Sequence, residues 1–143
     1  MSQVPDLASL SMVFDVERVS ALYAEDVFAR GLGIELVSVD GEELVVALDL
    51  TERHANFLGS THGGVVFSLA DCALSLASNS AGTAVAIDTH LVYTSPSGPG
   101  DRLVARISES TRGRSLGTYR AEVSRADGRL VALFTGTVYI NQG

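Results

Sequence analysis

The chain has no lysine, a single cysteine and no apolar run long enough to cross a bilayer. One cysteine, Cys72, excludes a disulfide within the chain. A membrane span needs roughly 18 consecutive apolar residues, so no transmembrane helix is expected. The first twenty residues carry Asp6, Asp15 and Glu17 and lack the basic start of a signal peptide, so a cytoplasmic protein is expected. The three histidines, His54, His62 and His90, do not fall at metal-ligand spacing, and there is no H-E-x-x-H or paired cysteine. No metal or resident cofactor is expected. Without lysine, the glycine-rich stretch from Gly59 to Gly64 is no phosphate-binding P-loop.

What is present is one domain's worth of core: 143 residues, 46% of them hydrophobic. The net charge of −7 argues against general nucleic-acid binding. That charge is unevenly placed. Three arginines face thirteen acidic residues before position 100, and seven face four after it, giving −10 and +3. The arginine-rich third offers a site for a small phosphate-bearing anion, with ordinary strand-surface arginine as the alternative.

Residues 1–15 lack periodicity and read as a loose arm. Residues 16–30 place Val19, Leu22, Tyr23, Val27 and Phe28 at near-helical spacing, ended by Gly31 and Gly33. Ile34 to Val39 and Leu44 to Leu50 read as strands joined at Asp40-Gly41, a strong hairpin signal. A polar loop over 51–61 leads into an apolar helix from Gly63 to about Ser80, apolar almost all round and therefore buried on most sides. The remainder reads as strands: Thr83 to Thr94, Arg102 to Ser110, Ser115 to Arg125 and Leu130 to Ile140, the last two joined at Asp127-Gly128. One long helix followed by strands without intervening helices excludes a doubly wound fold. The consistent class is α+β, an antiparallel sheet curled round one central helix. So short a chain leaves apolar surface and sheet edges uncovered, which points to a homo-oligomer, most simply a dimer.

The stretch from Asn56 to Asp71 carries the chemistry. A helix start offers unsatisfied N–H groups to developing negative charge. Two turns in, Asp71 stands among apolar residues, where a charge is costly unless paired or used. The Gly63 N–H, the Asn56 amide and the His62 imidazole add an oxyanion donor, a water holder and a base, the parts of an acyl-transfer site without a serine. The alternative is a buried carboxylate bonded to a loop. Gly113-Arg114-Ser115-Leu116-Gly117 matches G-x-S-x-G but is rejected as a nucleophile elbow: a strand follows it, and no histidine lies beyond His90. Cys72 reads as a small core residue, His54 as an exposed loop residue and His90 as structural.

The order Asn56, His62-Gly63-Gly64, Leu69-Ala70-Asp71, Ala77-Ser78-Asn79 resembles the PaaI-type hotdog-fold thioesterases associated with phenylacetate degradation. Ala86-Ile87-Asp88, Tyr93-Thr94-Ser95-Pro96 and Leu133-Phe134-Thr135-Gly136-Thr137 are similar too, so the resemblance spans roughly residues 30–140. It implies an N-terminal arm and short helix over 1–30, then a hotdog domain over 31–143. It implies hydrolysis of an aromatic, phenylacetyl-CoA-like, or medium-chain acyl-CoA, with coenzyme A entering only as part of the substrate. The Gly63 N–H would polarise the thioester carbonyl. Asp71 of the facing subunit would be base or nucleophile, Asn56 would hold water or the carbonyl, and His62 would shape the loop. Coenzyme A would run along Tyr93, Thr94, Ser95, Pro96, Ser97 and Gly98, and along Thr111, Arg112, Gly113, Arg114, Ser115 and Leu116, with Arg112 and Arg114 at its phosphates. The dimer would form the site, and dimers would pair into a homotetramer. Ala86 departs from relatives that place a water-orienting serine or threonine there. Two other readings share the fold: a non-catalytic acyl-CoA binding module, and a hydratase or dehydratase using His62 as its histidine.

Overall fold

Local side-chain chemistry sets the boundaries of the first elements. The computed structural model describes residues 14–141, so the expected arm over 1–15 lies almost wholly outside the described residues. Helix α1 spans Val16–Glu25 and helix α2 Val27–Leu32. Residues 16–30 are therefore two helices, not the single one their periodicity suggests. Asp26 is the reason: its backbone is extended and its carboxylate accepts from Ala29 N, which starts a new helix. Gly33, at φ 98°, closes α2 in the left-handed conformation that glycine adopts without penalty.

Strands β1 (Glu35–Val39) and β2 (Leu44–Asp49) form the expected hairpin. Asp40 Oδ1 accepts from Glu42 N and Glu43 N at 2.8 and 2.7 Å, which fixes the turn and holds that carboxyl below the usual carboxylate range. Within the polar loop, Glu52–His54 forms one 3-10 turn. Helix α3 follows over Gly63–Ser78, then β3 (Thr83–Tyr93), β4 (Arg102–Arg112), β5 (Leu116–Arg125) and β6 (Leu130–Asn141).

All six strands make one antiparallel sheet in the order β1-β2-β4-β5-β6-β3, and α3 packs across its inner face. Alternation decides which residues point inward: Leu103, Ala105 and Ile107 on β4, Tyr119, Ala121 and Val123 on β5, Phe134 and Val138 on β6. Helix α3 supplies Val66, Leu69, Ala70, Ala73, Leu74 and Leu76. Phe67 meets Phe134 edge-on, with centroids 5.9 Å apart. This is the α+β architecture expected, with β3 left at a sheet edge.

Helix α3 and the sheet approach each other closely at Gly136. A Cβ there would lie 2.7 Å from Leu74 Cδ2 and 3.2 Å from Phe134 Cε1, and both side chains are buried. Gly136→Ala is therefore expected to lower unfolding free energy by about 1–3 kcal/mol, the usual cost of overpacking a filled core. Urea unfolding checks this, and an unchanged midpoint would show that the helix can lift off the sheet without cost.

Candidate functional site

The loop before α3 is held by Asn56. Its Oδ1 accepts from Leu58 N at 2.9 Å and Ser60 N at 3.1 Å, and its own N–H donates to Ser60 O at 2.7 Å. A short amide side chain can close a turn in this way because it mimics the backbone. The Asn56 Nδ2 group has no hydrogen-bond partner among the described residues. Thr61 is tied to the 93–98 segment: its N–H donates to Ser97 O at 2.9 Å, and Ser97 Oγ donates to Thr61 Oγ1 at 2.8 Å.

His62 is the N-cap of α3, and its Nδ1 accepts from Gly64 N at 3.0 Å. A neutral ring nitrogen that accepts carries no proton, so the proton sits on Nε2. The cap satisfies Gly64 and leaves the Gly63 N–H without a partner among the described residues. Tyr93 Oη donates to Gly63 O at 2.9 Å and fixes that peptide from the other side. A Cβ on residue 63 would stand 3.0 Å from Tyr93 Oη and 3.2 Å from Cζ, so a side chain there would press on the Tyr93 ring. Gly63 lines a cleft of about 390 Å³ with Ser60, Thr61, Val66, Tyr93 and Ser95.

Asp71 belongs to a different cleft, of about 270 Å³, lined also by Leu74, Ser75, Ser78 and the start of β3 from Ala84 to Ala86. Its carboxylate is half-buried, has no hydrogen-bond partner among the described residues, and burial raises its pKa above the ordinary value. Asn79 fixes the floor: its Nδ2 donates to Ser75 O and Ala84 O at 2.9 and 3.1 Å, and its Oδ1 accepts from Ala84 N at 2.9 Å. Cys72, beside Asp71, is buried, and burial with the charges of Asp26 and Asp71 pushes its thiol up to about 12. A thiol held protonated is no nucleophile.

One chain does not bring these groups together. Gly63 and Asp71 are eight residues apart on one helix, about 12 Å along its axis. The two segments expected along coenzyme A are also separated. Tyr93 pairs with Ala132, whereas Leu116 pairs with Tyr139, seven residues and about 23 Å further along β6. Tyr93 to Gly98 thus shares the Gly63 end of the sheet, and Thr111 to Leu116 the Asp71 end. Gly113, Arg114 and Ser115 make the turn between β4 and β5, closed by Gly113 N donating to Leu116 O at 2.8 Å. Arg112 is engaged internally: its Nη1 donates to Tyr119 Oη at 2.9 Å and lies 3.9 Å from Glu109 Oε1, which accepts from that hydroxyl at 2.9 Å.

One histidine differs from expectation. His54 is buried, not an exposed loop residue: its Nδ1 accepts from Thr51 N and its Nε2 donates to Leu32 O, both at 2.9 Å. His90 is exposed on β3, opposite Thr135 of β6. Arg125 and Arg129, which composition marks only as part of the arginine-rich third, flank the β5–β6 turn and reach the segment lining the Gly63 cleft. Arg125 Nη1 donates to Pro96 O at 3.2 Å, and Arg129 Nε donates to Ser95 Oγ at 2.9 Å. Their place beside Asp127-Gly128, at the end of a hairpin, was the available signal.

Comparison with known proteins identifies the family and the fold. The family model described as "Thioesterase superfamily" matches residues 58–132. Acyl-coenzyme A thioesterase PaaI of Escherichia coli is 36% identical over 121 residues, covering 84% of this chain and 86% of that protein. The structure of the E. coli PaaI protein, from the phenylacetic acid degradation operon, superposes with a TM-score of 0.85 over 90% of this chain and 94% of that one. A mutant of the phenylacetic acid degradation protein PaaI of Thermus thermophilus is 42% identical, with a TM-score of 0.78, covering 81% of this chain and 100% of that one. A Streptococcus mutans protein bound to acetyl CoA is 26% identical, with a TM-score of 0.72, over 76% of this chain and 88% of that one. With more than half of its length matched by the family model and its helix wrapped in the same sheet, the chain belongs to the thioesterase superfamily and has the hotdog fold.

Proposed function

We propose that the protein is an acyl-CoA thioesterase whose site forms between two copies of the chain. The observation that carries this reading is the pair of complementary half-sites at opposite ends of β3. The strand is open on the side away from β6, and Val85 and Ile87 are each 58% exposed, with Tyr93 at 55%. An uncovered apolar edge of eleven residues is an aggregation hazard unless a second strand pairs with it. Antiparallel pairing of two β3 strands about their midpoint sets the Ala84–Ala86 end of one against the Val92–Tyr93 end of the other. The Asp71 cleft of one copy then faces the Gly63 cleft of its partner. The same two-fold brings each Thr111–Leu116 segment toward a Tyr93–Gly98 segment.

Hydrolysis follows from what each group has left to offer. The thioester oxygen takes the free Gly63 N–H, which the helix start favours for developing negative charge. The Asn56 Nδ2 donates to the carbonyl or the water while its Oδ1 keeps the loop shut. Asp71 has no competing hydrogen bond among the described residues and a raised pKa, which suit a general base toward water or a nucleophile toward the carbonyl carbon. The product is a carboxylic acid and free coenzyme A. The likeness to E. coli PaaI and the apolar flank of α3 favour an aromatic or medium-chain acyl group. His62 suits the hydratase reading less well, because its one ring lone pair is occupied by Gly64 N.

Two rows on the outer sheet face support pairing of dimers into tetramers. Val85, Tyr139 and Leu116 are cross-strand neighbours, as are Val92 and Leu133, and all five are exposed. No helix among the described residues is long and apolar enough to cross a membrane. We place the protein in the cytoplasm.

Asp71→Asn is expected to lower kcat on phenylacetyl-CoA by about 10²- to 10⁴-fold, the range for losing a positioned base. In the unaltered enzyme, kcat/KM should fall on the acid side with a pKa above the ordinary value of 3.8, because a raised pKa leaves the base protonated to higher pH. Thiol release followed against pH reads both, and unaltered turnover by the variant removes Asp71 from the reaction. Ile87→Asp places a charge on the open edge and is expected to yield an inactive monomer by light scattering. An active monomer would contradict the shared site.

A further inference from the structure

Seven arginines crowd the C-terminal third; Arg114 lies in the β4–β5 turn, and the surroundings of the other six separate their roles. Arg102 is held by Glu35 and Asp49 at 3.1 and 2.9 Å, and Arg106 reaches Glu43 at 3.4 Å. Arg112 is locked with Tyr119 and Glu109 and also points Nη1 at Ser78 O, 3.4 Å away. Arg120 is exposed on the outer sheet face, opposite Thr135.

Arg125 and Arg129 share one carboxylate, and Arg125 takes it. Asp127 accepts Arg125 Nε at 3.2 Å and Nη2 at 2.8 Å, and receives only the backbone N–H of Arg129, at 3.0 Å. The Arg129 guanidinium therefore forms no ion pair among the described residues, yet it is not loose. Its Nε donates to Ser95 Oγ, which lines the Gly63 cleft. Anchoring at Nε fixes the plane and leaves the Nη1 and Nη2 fork without a hydrogen-bond partner among the described residues. A guanidinium oriented in this way presents parallel N–H donors that match phosphate oxygens two at a time.

We propose that Arg129 binds a phosphate of coenzyme A at the mouth of the Gly63 cleft. Arg112, at the place where the resemblance sets a phosphate contact, is instead a positioning residue. It joins β4 and β5 to the last carbonyl of α3, the helix that carries Asp71. The assignment rests on the thioesterase reading and adds to it the residue that recognises the nucleotide half of the substrate. A ligand with its thioester at the Gly63 N–H and its arm along Tyr93 to Ser97 passes Ser95, and with it the free fork.

The test compares phenylacetyl-CoA with S-phenylacetyl-pantetheine, which has the same thioester and arm but no phosphate. Arg129→Ala is expected to raise KM for the coenzyme A ester about 10- to 100-fold, as for loss of charge-assisted hydrogen bonds, and to leave kcat and the pantetheine ester unchanged. Arg129→Lys, which keeps charge without the fork, should recover part of the loss. Ser95→Ala should cause a smaller rise, since it frees the guanidinium without removing it. Arg120→Ala, the same charge change on the outer face, should leave KM unaltered. Arg112→Ala should lower kcat on both esters alike. Calorimetry with free coenzyme A against pantetheine gives the same contrast without turnover. Arg129→Ala that affects both esters equally, or neither, overturns the assignment while the thioesterase reading stands. An unaltered protein that neither cleaves nor binds any coenzyme A ester overturns both.

Discussion

A straight helix keeps two of its own residues apart. Gly63 and Asp71 sit on α3 with about 12 Å of helix axis between them, and each opens into its own cleft. The helix has no proline or internal glycine beyond its first turn, and the sheet packs along its length. It cannot fold back to join its ends. Any reaction that uses the Gly63 N–H and the Asp71 carboxylate on one carbonyl therefore needs a second helix running the other way. The open edge of β3 supplies the means, because its two ends neighbour the two clefts and its exposed apolar residues favour cover.

Around that constraint, hydrogen bonds hold each half-site in place and leave the groups that the proposed chemistry uses unbonded among the described residues. His62 caps Gly64 and leaves Gly63 alone. Tyr93 holds the Gly63 carbonyl, so its peptide plane is set. Asn56 ties the loop with its oxygen and keeps its amide nitrogen. Asn79 fixes the Asp71 cleft while the carboxylate remains half-buried, with no hydrogen bond among the described residues. Preorganised donors cost no reorganisation when charge develops, and a desolvated carboxylate is a stronger base than a solvated one.

The features legible in the sequence are those decided by near neighbours. Asp40-Gly41 and Asp127-Gly128 announce hairpins because turn chemistry is local. The long central helix is evident because an all-round apolar segment of that length must be buried. The break at Asp26 was hidden, since the periodicity of residues 16–30 runs through a residue whose capping bond begins a second helix. The burial of His54 is not legible locally, because the carbonyl that holds it, Leu32 O, lies 22 residues earlier in the chain. The arginine-rich third was visible as composition. Which arginine is engaged depends on partners that the sheet brings from other strands, such as Glu35 and Asp49 for Arg102 and Tyr119 for Arg112, and no spacing records that.

The central claim is that each site takes its acid from one chain and its oxyanion donor from the other, and subunit mixing tests it most directly. Asp71→Asn and Gly63→Val, each inactive alone, are unfolded together, refolded and assayed for thiol release from phenylacetyl-CoA. Hybrid dimers then hold one intact site and one doubly altered site, so about a quarter of the unaltered activity should return. Hybrids that form, as tagged co-purification would show, and yet stay inactive would contradict the account.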